Sequence, residues 1–106
     1  MLIAWTTVAG REEAERIAAD VVLRNLAVCV QIDGAIVSHY RWHGREERAE
    51  EFRLSFKLLE THAAALEQRV LALHSYATPE WLVVRAEHVG EKYLSWAKAN
   101  SSTPPL

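Results

Sequence analysis

The chain has 106 residues, half of them hydrophobic and a quarter charged, with a formal net charge of −2. That length holds one domain and one core and excludes a second, and no run of 18 apolar residues offers a membrane span. The arginines sit among acidic neighbours and form no basic stripe, so nucleic acid is not an expected partner.

From Met1 the chain runs directly into apolar sequence with no basic leader, so no signal peptide is expected. Cys29 stands alone, which excludes an intramolecular disulfide. Both features predict a reducing, cytoplasmic setting. Leu2 to Val8 is short and rich in β-branched residues and reads as a strand. After Gly10, residues Ala14, Ile17, Ala18, Val21 and Val22 recur at helical spacing. Glu12 and Glu13 fall in the first turn of that helix, where its amide end favours negative charge. Asn25 stands where a left-handed residue would end it.

Val28, Val30 and Ile32 alternate with Cys29 and Gln31, the period of a strand. Asp33 and Gly34 mark a predicted bend or bulge. Beyond it Ile36, Ser38, Tyr40 and Trp42 share one face, and Val37, His39, Arg41 and His43 the other. Gly44 and the polar run Arg45 to Glu51 read as an exposed hairpin connection. Phe52, Leu54, Phe56 and Leu58 then alternate with Arg53, Ser55 and Lys57 on a return strand. Thr61 is a candidate cap for a second helix carrying Ala63, Leu66, Val70 and Leu73. Residues 75–79 are irregular because of Pro79. Trp81 to Val84 reads as a fourth strand, Gly90 to about Ala99 as a third helix, and 101–106 as a flexible C-terminal tail behind a single 1–100 domain.

The order β-α-β-β-α-β predicts an α+β, ferredoxin-like two-layer sandwich, a split β-α-β unit with a long central hairpin and an extra C-terminal helix. Two helices cover one face of a four-stranded sheet. The hairpin nevertheless carries apolar or aromatic side chains on both faces, with Tyr40 and Trp42 the candidate interface residues. Burying the second set calls for other copies of the chain, with edge strands protected between them. The four tryptophans, numerous for this length, allow two readings: core filling, or burial by a neighbouring subunit.

Candidate chemistry is sparse. Cys29 and the five histidines lack the close spacing of a structural zinc site. His39 and His43 share a strand face but stand ~13 Å apart at a strand's rise, so ligands for one ion would have to converge from separate segments or subunits. Cys29 reads either as a small buried hydrophobe or as a metal or redox contact. His74, Tyr76 and Glu80 cluster at an irregular turn, a suitable place for exposed polar groups on a rigid scaffold. Glu51 and Lys57 fall on the same polar strand face, too far apart to pair directly. Together with Tyr76 and Glu80 they are candidates to line a cleft between subunits, the alternative being a solvated face. No nucleophile–base pair is identifiable, so no catalysis is expected. The four scattered glycines form no phosphate loop.

Several stretches, in order and spacing, resemble the CutA family of divalent-cation tolerance proteins from about Leu2 to Ala97. They are Thr6-Thr7, Leu26-Ala27-Val28-Cys29-Val30, Tyr40-Arg41-Trp42-His43-Gly44, Glu51 with Leu54 and Lys57, His74-Ser75-Tyr76-Ala77-Thr78-Pro79-Glu80, and Tyr93-Leu94-Ser95-Trp96. The resemblance implies a homotrimer with strands extending between subunits and a link to tolerance of copper and other divalent metals. It makes Cys29 and His74 candidate contacts for a weakly bound divalent ion such as Cu2+. An adaptor module taking a small metabolite or protein in the cleft is the alternative function. Ser75 and Ala77 replace the family's usual proline and glutamate, and the loss of that carboxylate weakens any site built on it.

Overall fold

The structure, a computed structural model, describes residues 1–101. Among these residues the chain forms β1 (Leu2–Val8), α1 (Arg11–Leu23), β2 (Cys29–Trp42), β3 (Arg45–Leu58), a 3-10 turn at Glu60–His62, α2 (Ala63–Leu73), β4 (Leu82–Arg85) and α3 (Glu91–Ala99). The sheet order is β2-β3-β1-β4, with every neighbouring pair antiparallel. This is the ferredoxin-like α+β arrangement the element order predicts.

The core lies between α1, α2 and the strand face carrying Leu2, Ala4, Thr6 and Val8 of β1 and Leu54, Phe56 and Leu58 of β3. Ala14, Ile17 and Val21 of α1 and Leu66 and Val70 of α2 are all fully buried against it. Val22, counted with the apolar stripe from its spacing, is instead exposed. Asn25 does end the first helix. Its φ is 58°, and the amides of Asn25 and Leu26 reach back to the carbonyls of Val22 and Val21, closing a Schellman motif.

Asp20 on α1 and Arg69 on α2 tie the two helices by a bidentate pair at 2.8 and 2.7 Å. The Arg69 hydrogen bond holds the Asp20 carboxyl below its ordinary value of 3.8. Asp20 thus binds its proton less readily folded than unfolded. Its contribution is complete above the unfolded value and disappears as pH falls through the depressed folded one. Arg69→Met is therefore expected to lower the urea midpoint at pH 7. The loss should shrink as pH is lowered below the ordinary carboxylate value of 3.8; a loss independent of pH would show that the pair is not the cause.

Three expectations need correction. Gly44 to Glu51 is not a connection. The turn is the two residues His43 and Gly44, both at positive φ (51° and 77°), as a type I′ hairpin requires, and Arg45 to Glu51 is the outer half of β3. Thr61 lies inside the 3-10 turn, and His62 precedes α2 without a side-chain cap. Ser101, assigned to the tail, is buried and bonds back to Lys98; residues 102–106 of that tail lie outside the described residues.

The hairpin has a phase change at the predicted position. Through Asp33↔Arg53 the strands pair in one register, and from Ile36↔Glu51 onward in another, so Gly34 and Ala35 together stand opposite Phe52. This is a bulge with one extra residue on β2. A Cβ at Gly34 would run into the Phe52 ring, so the close approach requires glycine. β1 pairs with β3 over residues 52–58, and the outer ribbon, 36–42 against 45–51, projects beyond it. Val37, Tyr40 and Trp42 are exposed there, as are Leu82, Val83 and Val84 on the opposite edge strand β4. Trp42 and Trp96 are nearly half exposed, so core filling does not account for them.

Candidate functional site

The turn between α2 and β4 is held to the end of β1 by His74. Its side chain is fully buried although its backbone is partly open. Nε2 lies 3.0 Å from both Thr6 Oγ1 and the Thr7 carbonyl, and Nδ1 accepts the Tyr76 amide at 3.1 Å. Accepting at Nδ1 and facing a carbonyl at Nε2 assigns the ring proton to Nε2. Thr6 Oγ1, receiving from the ring, donates onward to the Glu80 carbonyl at 2.7 Å. One imidazole therefore fastens both ends of the turn to one strand.

Ser75 extends this anchoring. Its amide and its hydroxyl each donate to Glu13 on α1 at 2.9 Å. A proline at this position has no N–H to give, so the departure at Ser75 brings a helix–turn contact of its own. Spacing alone gives Glu13 only a helix-end role, and the residue it meets lies 62 positions away.

Tyr76 then reaches across to β3, where its hydroxyl donates to Glu51 Oε2 at 2.8 Å. Glu51, expected on a polar face, is on that face but buried, 8 % exposed, beneath the tyrosine. Burial first, and the Glu51 carboxylate second, push the Tyr76 phenol well above its ordinary value of 10.0. Around this pair opens a cleft of about 990 Å³, with Thr7, Tyr40, Trp42, Glu51, Tyr76 and Glu80 on its walls. Val37, Ser38 and His39, which sequence reasoning did not assign to a site, also line it. They arrive there through the ribbon's geometry, which no local pattern announces.

Two expected site residues lie elsewhere. Lys57 is six residues along β3 from Glu51, ~20 Å at a strand's rise; its ammonium donates to Gln31 Oε1 and does not line the cleft. Cys29 pairs across the sheet with Lys57, which in turn faces Ile3, whereas His74 grips Thr6 and Thr7. The two candidate metal contacts are thus offset by about three or four strand positions, ~10–13 Å, and both nitrogens of His74 are already engaged. Beside Cys29 lies Tyr93 of α3, its phenol raised above the usual range by burial and then by the neighbouring sulfur. Among the described residues no three histidine, cysteine, aspartate or glutamate side chains converge to hold a metal ion. A metal centre complete within one chain does not fit these residues.

With this geometry in place, similarity to known proteins is extensive. Residues 2–100 match the family described as CutA1 divalent ion tolerance protein. The divalent-cation tolerance protein CutA of Thermus thermophilus is 38 % identical over 96 residues, 90 % of this chain and 92 % of that protein. The chloroplastic protein CutA 1 of rice is 33 % identical over 97 residues, covering 92 % of this chain. This chain spans about half the length of that plant relative (55 %). The structure of the periplasmic divalent cation tolerance protein CutA of Archaeoglobus fulgidus superposes with a TM-score of 0.91 at 33 % identity, over 96 % of this chain and all of that one. The expectation of a cytoplasmic setting is corrected by the same comparisons, since these relatives are placed in the chloroplast and the periplasm. A lone cysteine excludes a disulfide within the chain but does not select a compartment.

Proposed function

The chain belongs to the CutA family of divalent ion tolerance proteins, and on that premise we propose a non-catalytic role in divalent-cation tolerance carried out by a ring of three copies. The supporting observation is the pair of unlike sheet edges. β2 is a long edge strand bearing exposed Val37, Tyr40 and Trp42, and β4 a short edge strand bearing exposed Leu82, Val83 and Val84. Joining one kind of edge to the other is a head-to-tail contact, the kind that makes a ring when its rotation closes, and it protects backbone groups that would otherwise template aggregation.

In this reading a divalent ion, copper first, is bound weakly at positions shared between copies. Cys29, His39 and His43 all lie on or at the end of β2, where a second chain can supply the ligands that one chain lacks. Imidazole and thiolate suit copper better than hard cations. Sedimentation equilibrium is expected to give three times the 12.0 kDa of one chain. Copper titration of Cys29→Ser is expected to show about tenfold weaker binding, the loss of one good ligand. A folded 12.0 kDa species would reject the ring, and unchanged copper affinity would reject the role of Cys29.

A further inference from the structure

We propose that His74 and Glu13 form an acid-operated latch on the turn between α2 and β4. A second proton on the imidazole passes the ring's hold from the Tyr76 amide to the Glu13 carboxylate and loosens Tyr76. The proposal does not depend on the shared-metal reading, because both nitrogens of His74 are engaged within the chain and neither is open to an ion.

The two nitrogens differ in what a second proton does to them. Nε2 faces the Thr6 hydroxyl and the Thr7 carbonyl, each at 3.0 Å, and an imidazolium still donates there. Nδ1 accepts the Tyr76 amide at 3.1 Å. That bond needs the neutral ring, because a proton on Nδ1 sets two N–H donors face to face. Histidine is the side chain whose ordinary charge change falls between about pH 5 and 8. A proton taken from solvent makes the ring a cation, keeps it on β1 and expels the Tyr76 amide.

Glu13 supplies the alternative partner. Its Oε2 stands 4.0 Å from Nδ1 and already accepts the Ser75 amide at 2.9 Å. A carboxylate oxygen has lone pairs for a second donor, and a movement of about 1 Å brings it to the length of an ionic hydrogen bond. The His74 side chain is fully buried and that of Glu13 is 12 % exposed, so the carboxylate joins the ring to solvent. The ion pairs among the described residues give Glu13 no lysine or arginine.

The other elements around the ring bring no competing charge into contact with it. β1 presents the Thr6 hydroxyl and the Thr7 carbonyl, and the turn presents the neutral Tyr76 phenol, its ring centroid 5.0 Å away. Beyond Tyr76 stand Glu51 of β3 and Tyr40 of β2. Arg69 of α2 is committed to Asp20, and Glu80 takes part through its carbonyl on Thr6. In acid, therefore, Ser75 stays on Glu13 and Glu80 stays on Thr6. Tyr76 between them loses its backbone tie and keeps its phenol on Glu51.

Nitrogen-detected titration of the histidine rings and amide exchange, both on the intact protein with EDTA present, test the latch between about pH 8 and 5. His74 is expected to pass from the Nε2-protonated tautomer to the imidazolium. With the same midpoint, Tyr76 amide protection, corrected for the intrinsic pH dependence of exchange, should fall about tenfold. The amides of Ser75, Phe56 and Val70 should keep theirs. Glu13→Gln, which leaves an oxygen for Ser75, should lower the midpoint by about one pH unit, since the charge facing the second proton is gone. The latch is overturned by a His74 ring that stays neutral throughout, by a charged ring with Tyr76 still protected, by core amides opening at the same pH, or by a midpoint that Glu13→Gln does not move. Because EDTA removes metal, these outcomes leave the copper titration to stand or fall separately.

Discussion

Replacing His74 with alanine is expected to destabilise the protein by about 2–4 kcal/mol, a large share of what a domain of this size has in reserve. The magnitude follows from what the ring does. Three polar groups lose their partner at once: the Thr7 carbonyl, the Tyr76 amide and the acceptor side of the Thr6 hydroxyl. A fully buried imidazole also leaves a void that its neighbours fill incompletely. Because the same contacts pin the turn to β1, amide exchange should accelerate over residues 75–80 more than in α1. Urea unfolding checks the first effect and hydrogen exchange the second. A cost below about 1 kcal/mol would show that the turn is held mainly by Ser75 and Glu13, since ordinary surface substitutions cost less than that.

The second large effect is expected at Tyr76. Removing its hydroxyl in Tyr76→Phe leaves the Glu51 carboxylate buried without its donor, at a cost of about 1.5–3 kcal/mol at pH 7. Tyr76→Phe combined with Glu51→Gln should cost less than the sum of the two changes, because the second removes the charge that the first strands. The phenol also gives the fold an alkaline limit. Folding holds the Tyr76 proton above its ordinary value of 10.0, whereas an unfolded tyrosine gives it up near there. Above that pH the unfolded chain binds fewer protons than the folded one, so stability falls as pH rises. Tyr76→Phe should flatten this slope between pH 10 and 12. An unaltered slope would place its origin in Tyr93, which is also raised.

Legibility in the sequence follows burial. Phe52, Leu54, Phe56 and Leu58 read correctly as one inward face because water is excluded from that side alone, and the alternation survives in the residue types. Ala14, Ile17 and Val21 read correctly for the same reason. The outer ribbon did not, because Arg45 to Glu51 is charged at every position but Ala49, so the residue types do not alternate even though Glu47, Ala49 and Glu51 turn inward; its strand character comes from pairing with 36–42. Part of the cleft's lining was legible, and its wiring was not. His74, Tyr76 and Glu80 stand together in the chain and are visible as a cluster. Glu51 meets Tyr76 across 25 positions and Glu13 meets Ser75 across 62, and contacts at that range leave no periodic trace. The misplacement of Lys57 has a different origin: sharing a strand face with Glu51 fixes direction but not distance.

The extra residue at Gly34 and Ala35 sets the parity of everything beyond it. Before that point the odd-numbered side chains of β2, Cys29, Gln31 and Asp33, share a face with Lys57, Ser55 and Arg53; after it the even-numbered ones, Ile36 to Trp42, share that same face with Glu51. A chain shortened by one residue there could keep its turn and its pairing, and Tyr40 and Trp42 would then stay beside Glu51, because residues paired across two strands point to the same side; only the kink would go. The offset is therefore a point of tolerance: a codon lost at the kink leaves the ribbon's two surfaces as they are, whereas a one-residue slip in the pairing beyond it would exchange them.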